Sequence, residues 1–275
     1  MRTIRSLAGN AVTFVVIGVV FLVPFAFIVL QAVKPPEQAR RLSFDWPGAF
    51  PIVGNIRQVF QAHDYMLVVA LINSTTLTVC SVTLMVVFGA MVAYVLQRRA
   101  SRWNAVVNLC MLMGLVIPPA VVPTVWVLQG IGLFKTMSGM VLIEVAFGLA
   151  FCVLLFRAFI GSIPRELDEA AVIDGAGPLR LFFTVIFPLI RPVVVTVVVV
   201  QSVTVFNDFA NPLYFFPGDA NATVQLTLYN FRSQFTTAYN LLFMNILLIT
   251  IPPFIAYLVF QRQIVSGMTQ GAVKG

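Results

Sequence analysis

Few side chains in this chain could do chemistry. It has one histidine, His63, beside Asp64, and three cysteines, Cys80, Cys110 and Cys152, each inside an apolar run. One histidine with cysteines so far apart builds no metal-ligand cluster, and no Ser-His-Asp set is spaced for nucleophilic catalysis. His63 reads as a solvated loop residue. The cysteines read as small buried hydrophobes that imply no disulfide framework. The segment 130–136, GIGLFKT, is a near miss to a phosphate-binding loop. That loop needs Gly directly before its Lys and another six positions before it, where this chain has Phe134 and Gln129. No nucleotide site and no metal site are expected in the chain itself, and no catalytic residue.

The densest grouping of informative residues is 161–192, GSIPRELDEAAVIDGAGPLRLFFTVIFPLIRP. Pro164 suits the first turn of a helix, where its missing donor costs nothing. Glu166, Asp168 and Glu169 then sit at the positive end of the helix dipole, which favours them. Leu167, Ala170, Ala171 and Asp174 recur at helical spacing and define one face, which the two alanines keep low enough for close approach by a partner. Gly175 and Gly177 end this helix and Pro178 begins the next. A short helix, a sharp turn and a second helix make a rigid projection suited to docking.

A second grouping consists of polar side chains set in or beside apolar runs. Glu144 lies inside one, and an ionisable residue in a membrane span is a functional candidate by default, although snorkelling or pairing with a partner subunit would also place one there. Asp208, flanked by Asn207 and Asn211, lies about 25 Å beyond Arg191 if the run is helical at about 1.5 Å per residue. This trio suits hydroxyl-rich solutes, and helix capping explains it equally well. Asn73, with Thr76 and Ser81, either faces a cavity or bonds across helices.

The elements that hold these groups are set by composition. Of the 275 residues 60% are hydrophobic and 10% charged, against roughly 25% charged in soluble domains. With a mean hydropathy of +0.97, lipid must solvate much of the surface. The net charge of +7 comes from residues scattered between apolar runs, so it forms no nucleic-acid patch. Six spans are expected, at about 11–33, 66–96, 106–128, 138–160, 192–209 and 241–260, in a single transmembrane domain over 1–275. The run 11–33 is longer than a signal-peptide core of about 7–15 residues, so it reads as an uncleaved span behind Arg2 and Arg5. Pro118, Pro119 and Pro123 must bend or break span three. Residues 34–64 and 211–240 read as external loops, and residues from 261 onward as a short tail. Arg98, Arg99 and Arg102 follow span two whereas Lys135 alone follows span three, which places both termini and the 161–191 loop in the cytoplasm.

The 161–192 segment resembles the EAA loop of binding-protein-dependent ABC importer permeases. Glu169, Ala170, Ala171, Asp174, Gly175, Ala176, Phe182 and Pro188 match that family's pattern in order, with Phe187 where Leu is usual. The resemblance implies an all-α integral membrane permease fold with a cytoplasmic coupling helix that inserts into a cleft of an ATP-binding subunit. Glu169 would pair there with a basic residue, and Gly175 would allow the turn. Phe206-Asn207-Asp208-Phe209 with Pro212-Leu213, Asn73-Ser74 and the tail 260–275 resemble the maltose-type carbohydrate branch.

The family implies the remaining partners. These are a second permease subunit, an ATPase dimer that binds ATP and Mg, an extracytoplasmic solute-binding protein, a sugar substrate and membrane lipid, in a bacterial or archaeal plasma membrane. Candidate pathway residues are Asn73, Glu144, Asn207, Asp208 and Asn211. A permease of the same family for a polyol or a glycerol-phosphate-type solute is the nearest alternative. A secondary transporter is a more distant one, because no central span carries a deep charged pair.

Overall fold

Lipid offers no hydrogen bonds, so a chain this apolar must satisfy each backbone group locally, and the helix does this. The structure, a computed structural model, describes the backbone of residues 2–231 and 237–272 and the side chains of 16–231 and 237–261. Among the described residues the regular structure is all helical, without a strand. In order it comprises α1 (Arg2–Ala32), α2 (Pro36–Ala39), α3 (Ile52–Gln61), α4 (Met66–Arg98), α5 (Trp103–Val116), α6 (Val121–Gly130), α7 (Met137–Ile160), α8 (Glu166–Ile173) and α9 (Pro178–Leu181). A π-helical turn over Phe182–Ile186 follows, then α10 (Phe187–Leu189), α11 (Arg191–Phe206), α12 (Ala210–Phe215) and α13 (Tyr239–Ala272).

Three stretches are long and apolar enough to cross a membrane unaided, Met66–Arg98, Met137–Ile160 and Tyr239–Gln261. Two bent pairs raise the described number to five. Trp103–Val116 with Val121–Gly130 turns through 118°, and Pro178–Leu189 with Arg191–Phe206 turns through 79°. In α1 the described side chains begin at 16, and Val16–Ala32 is an apolar helix.

The break expected in the third span falls at 117–120, where Pro118 and Pro119 remove donors between two sharply bent helices, and other expectations are corrected or gain detail. Pro123 falls in the first turn of α6, where an intrahelical donor is not needed. The 34–64 stretch is a folded cap with two helices and a polar knot. Lys34 is fully buried there, its Nζ donating to the Ser43 carbonyl at 2.7 Å, beside Gln31 Nε2 at 2.6 Å. Asn55 Nδ2 donates to the Ala32 carbonyl, which α1 leaves unsatisfied at its end, and to the Lys34 carbonyl just beyond it, and Asn240 Nδ2 donates to Asn55 Oδ1 at 3.0 Å. The 211–240 stretch contains α12 and two 3-10 turns. The tail is helical as far as Ala272, while its side chains from 262 onward, including Arg262 and Lys274, lie outside the described residues, as does Arg232. Cys152 is buried as expected, but Cys80 and Cys110 are exposed.

The chain forms two compact units, Met1–Val68 with Gln225–Ile251, and Val69–Val224 with Pro252–Gly275. The second unit holds most of the functional candidates. Its core joins Met85, Ala90 and Ala93 of α4 to Cys152, Phe156 and Ile160 of α7 and to Ile186, Ile190 and Val197. A Cβ at Gly89 would stand 3.1 Å from Cys152 Cβ, so the lack of a side chain there lets α4 and α7 approach closely. Gly139, in the first turn of α7, is tighter still. A Cβ there would overlap the Leu133 carbonyl oxygen, a backbone atom that cannot swing away. Gly139→Ala is expected to lower stability by about 2 kcal/mol, the scale of overpacking, seen as an earlier unfolding midpoint in detergent. Gly130→Ala, with nothing within 4 Å of its Cβ, is the matched control.

Candidate functional site

The 161–191 segment hangs from a tied platform. Arg157, in the last turn of α7, donates from Nε to Gln97 Oε1 at 3.2 Å and from Nη1 to Asn108 Oδ1 at 2.6 Å, joining the ends of α4, α5 and α7. Ile163 is buried and α8 begins at Glu166, so Pro164 precedes the helix and does not open it. Glu166, Asp168 and Glu169 occupy its first turn as expected. The helix closes with a Schellman motif: Ala176 N–H donates to the Ala171 carbonyl at 2.9 Å and Gly175 N–H to the Val172 carbonyl at 3.0 Å. Gly175 has φ of +80°, a left-handed conformation that a β-carbon disfavours, so glycine at this position fits the turn. Pro178 then opens α9 in its first turn.

The helix faces differ from the expected ones. Glu169, Ala170 and Asp174 are exposed, as are Leu167, Val172 and Ile173, the last at 85%. None of the eight residues of α8 is fully buried. Asp168 and Ala171 turn inward, three apart on one face. Asp168 is gripped twice: Tyr94 Oη donates to its Oδ1 at 2.7 Å, and Arg98 Nη2 lies 2.9 Å from its Oδ2. Arg98 Nη2 also donates to the Ile163 carbonyl at 3.0 Å. The end of span two thus fixes the short helix, with side-chain exposures of only 10% for Arg98 and 15% for Asp168. Below the turn Phe182 is buried against the rings of Tyr94, Phe183 and Phe187, and Pro188 is exposed. The exposed side of α8 therefore offers acid and bare aliphatic surface together, a combination suited to a protein partner.

The candidate pathway residues separate into two groups. Asn73 is committed to the backbone, donating to the Ala220 and Ala222 carbonyls at 2.9 and 3.0 Å. Asn207 Nδ2 donates back to Val203 at the end of α11. Glu144, Asp208 and Asn211 come together on one cavity of about 320 Å³. Asp208 Oδ1 caps α12, accepting from Ala210 N–H at 2.9 Å and Asn211 N–H at 3.3 Å. Sequence reading missed Gln201, Thr204, Phe147 and Phe151, which line the same cavity. Gln201 carried a readable signal, since it is the amide that interrupts an otherwise valine-rich run. The two phenylalanines carried none, being ordinary apolar residues of a span.

Comparison with known proteins agrees with this architecture. Residues 85–270 match the family model described as binding-protein-dependent transport system inner membrane component. The chain is 32% identical over 207 residues to the melibiose/raffinose/stachyose import permease protein MelC of Bacillus subtilis (strain 168), covering 74% of this chain and 75% of MelC. It is 30% identical over 263 residues to the diacetylchitobiose uptake system permease protein NgcG of Streptomyces coelicolor, covering 94% and 85% respectively. In fold it is similar to a chain in the crystal structure of a bacterial ABC transporter involved in the import of the acidic polysaccharide alginate, with a TM-score of 0.81, 21% identity and coverage of 95% of this chain and 98% of that one. With the family model spanning most of its helices, this multi-pass membrane chain belongs to the binding-protein-dependent transport system inner membrane components.

Proposed function

We propose that the chain is the transmembrane subunit of an ATP-driven ABC importer that translocates a sugar or oligosaccharide delivered by an extracytoplasmic binding protein. The observation that carries this reading is α8, a short acidic helix anchored from within by Arg98 and Tyr94 and bare on its outer side, in a chain of this family. Glu169, Ala170, Ala171, Asp174, Gly175, Ala176 and Pro188 form or support the ATPase-coupling surface. An ATPase dimer with its own ATP and Mg docks there, and its closure moves α8 and, through the Arg98–Asp168 pair, the end of α4. A second permease subunit completes the pathway. Relatives named for the import of melibiose, raffinose and stachyose and for diacetylchitobiose uptake support a sugar as the solute. In this reading the chain forms one permease domain with six spans, the sixth count coming from α1, and both termini lie in the cytoplasm of a bacterial or archaeal plasma membrane.

A mild-detergent pull-down of the tagged chain tests the assignment. A second permease and an ATPase subunit are expected among its companions. A chain that purifies alone and transports without ATP would make it a secondary transporter.

A further inference from the structure

The cavity of about 320 Å³ in the second unit has an unusual balance of polar groups. Glu144 stands two turns into apolar α7 and is only 4% exposed, yet its Oε1 has no hydrogen-bond partner among the described residues. An unsatisfied buried carboxyl oxygen is costly, and an ionisable residue in a span belongs beside protein or a wet cavity. Its carboxyl lies against Asp208 and Asn211. Asp208 has one oxygen committed to capping α12. The Gln201 amide completes the polar side, while Phe147 and Phe151, four residues apart on α7, supply aromatic surface. Among the described residues no lysine or arginine lines the cavity. The site is thus rich in acceptors and carries two carboxyl groups without a counter-cation. A ligand that completes it must bring donors, as hydroxyl or ammonium groups do. A carboxylate or phosphate would add negative charge to two carboxyl groups that already lie against each other.

We propose that this cavity is a solute subsite that takes an uncharged or amino-bearing hydroxylated ring, with Glu144 accepting its donors, and rejects anionic sugars. This rests on the importer reading, and it narrows the solute class within it against uronates and phosphorylated glycerols. The placement follows from packing alone: Glu144 and Asp208 are far apart in sequence, and α7 and the α11–α12 junction bring them to one wall.

Carbodiimide labelling of Glu144 in the purified, detergent-solubilised complex, read by mass spectrometry, tests the proposal without requiring transport. Maltotriose, raffinose, diacetylchitobiose and trigalacturonate serve as separate probes. The expected result is labelling of Glu144 that at least one neutral probe suppresses several-fold and that trigalacturonate at equal concentration does not. In Glu144→Gln, protection of Asp208 by the same neutral probe should need about tenfold more sugar, the weight of one hydrogen bond to the carboxyl group. Three results overturn the proposal: no labelling of Glu144 without sugar, labelling that no neutral probe suppresses, or equal suppression by trigalacturonate. The importer reading is judged separately by the companions that copurify. A complex complete with its ATPase but unprotected at Glu144 rejects the subsite alone. A lone chain whose Glu144 is still protected rejects the importer and keeps the subsite.

Discussion

Glu169→Lys should reach the membrane at wild-type levels and lose uptake to about a hundredth of wild type or less. Glu169 is exposed on α8 and makes no hydrogen bond or ion pair within the described chain that its removal would break. Insertion and folding depend on the apolar helices, and a surface substitution away from packed features changes stability by only about 0.5 kcal/mol or less. The loss would come from the docking surface. Reversing one side of an interfacial charge pair removes an attraction and adds a repulsion, and losing one partner of such a pair typically costs about 2–5 kcal/mol. Uptake in whole cells, alongside the amount of ATPase subunit retained on a pull-down, measures both parts. Normal uptake with normal ATPase retention would remove Glu169 from the coupling surface.

The second large effect is expected inside the segment. Asp168→Ala leaves the Arg98 guanidinium with the Ile163 carbonyl as its remaining partner here and deprives Tyr94 of its acceptor. Removing one member of a largely buried pair is strongly destabilising, and the residual exposure of both side chains brings the local cost down to about 2 kcal/mol. At about 1.4 kcal/mol per factor of ten, that corresponds to roughly thirtyfold more frequent opening of α8. Amide exchange across 163–176 should rise by that order, and the solute moved per ATP hydrolysed should fall, because an unanchored helix moves without moving α4. Asp168→Asn, which keeps an oxygen for Tyr94, should lie between. Unchanged exchange in the alanine variant would mean that packing of Ala171 and Ala176 alone holds the helix. Unchanged solute per ATP would take the pair out of the relay.

The distinction between Glu169 and Asp168 shows where sequence reading stopped. Both are acids in the first turn of one helix, and both satisfy the same dipole argument. Matching to a family pattern singles out Glu169, and the outward position of that residue agrees with a docking role. Asp168 matched nothing and proved to be the anchor, because Arg98 and Tyr94 stand on a helix about seventy residues earlier. Helical periodicity selected Leu167, Ala170, Ala171 and Asp174 as one face. Yet in an eight-residue helix exposed on most sides, one buried contact is enough to set the rotation.

Sequence alone determined the features that depend on local chemistry. Apolar runs of span length force helices, since a bilayer satisfies no backbone group. Adjacent prolines force a break in span three, and Gly175 ahead of Pro178 forces a helix end and a restart. Tertiary structure decided what local rules leave open. The proline break turns through 118°, with α5 packed against α7 and α6 against α12, none of which the prolines themselves specify. The folding of 34–64 around a buried Lys34 depends on the Ser43 carbonyl, 9 residues on, and on Asn55, 21 residues on. Glu144 became meaningful only when α7 and the start of α12 brought it to Asp208 and Asn211. Periodicity and propensity act over a few residues, whereas a cavity is made by surfaces that meet only after the chain has packed.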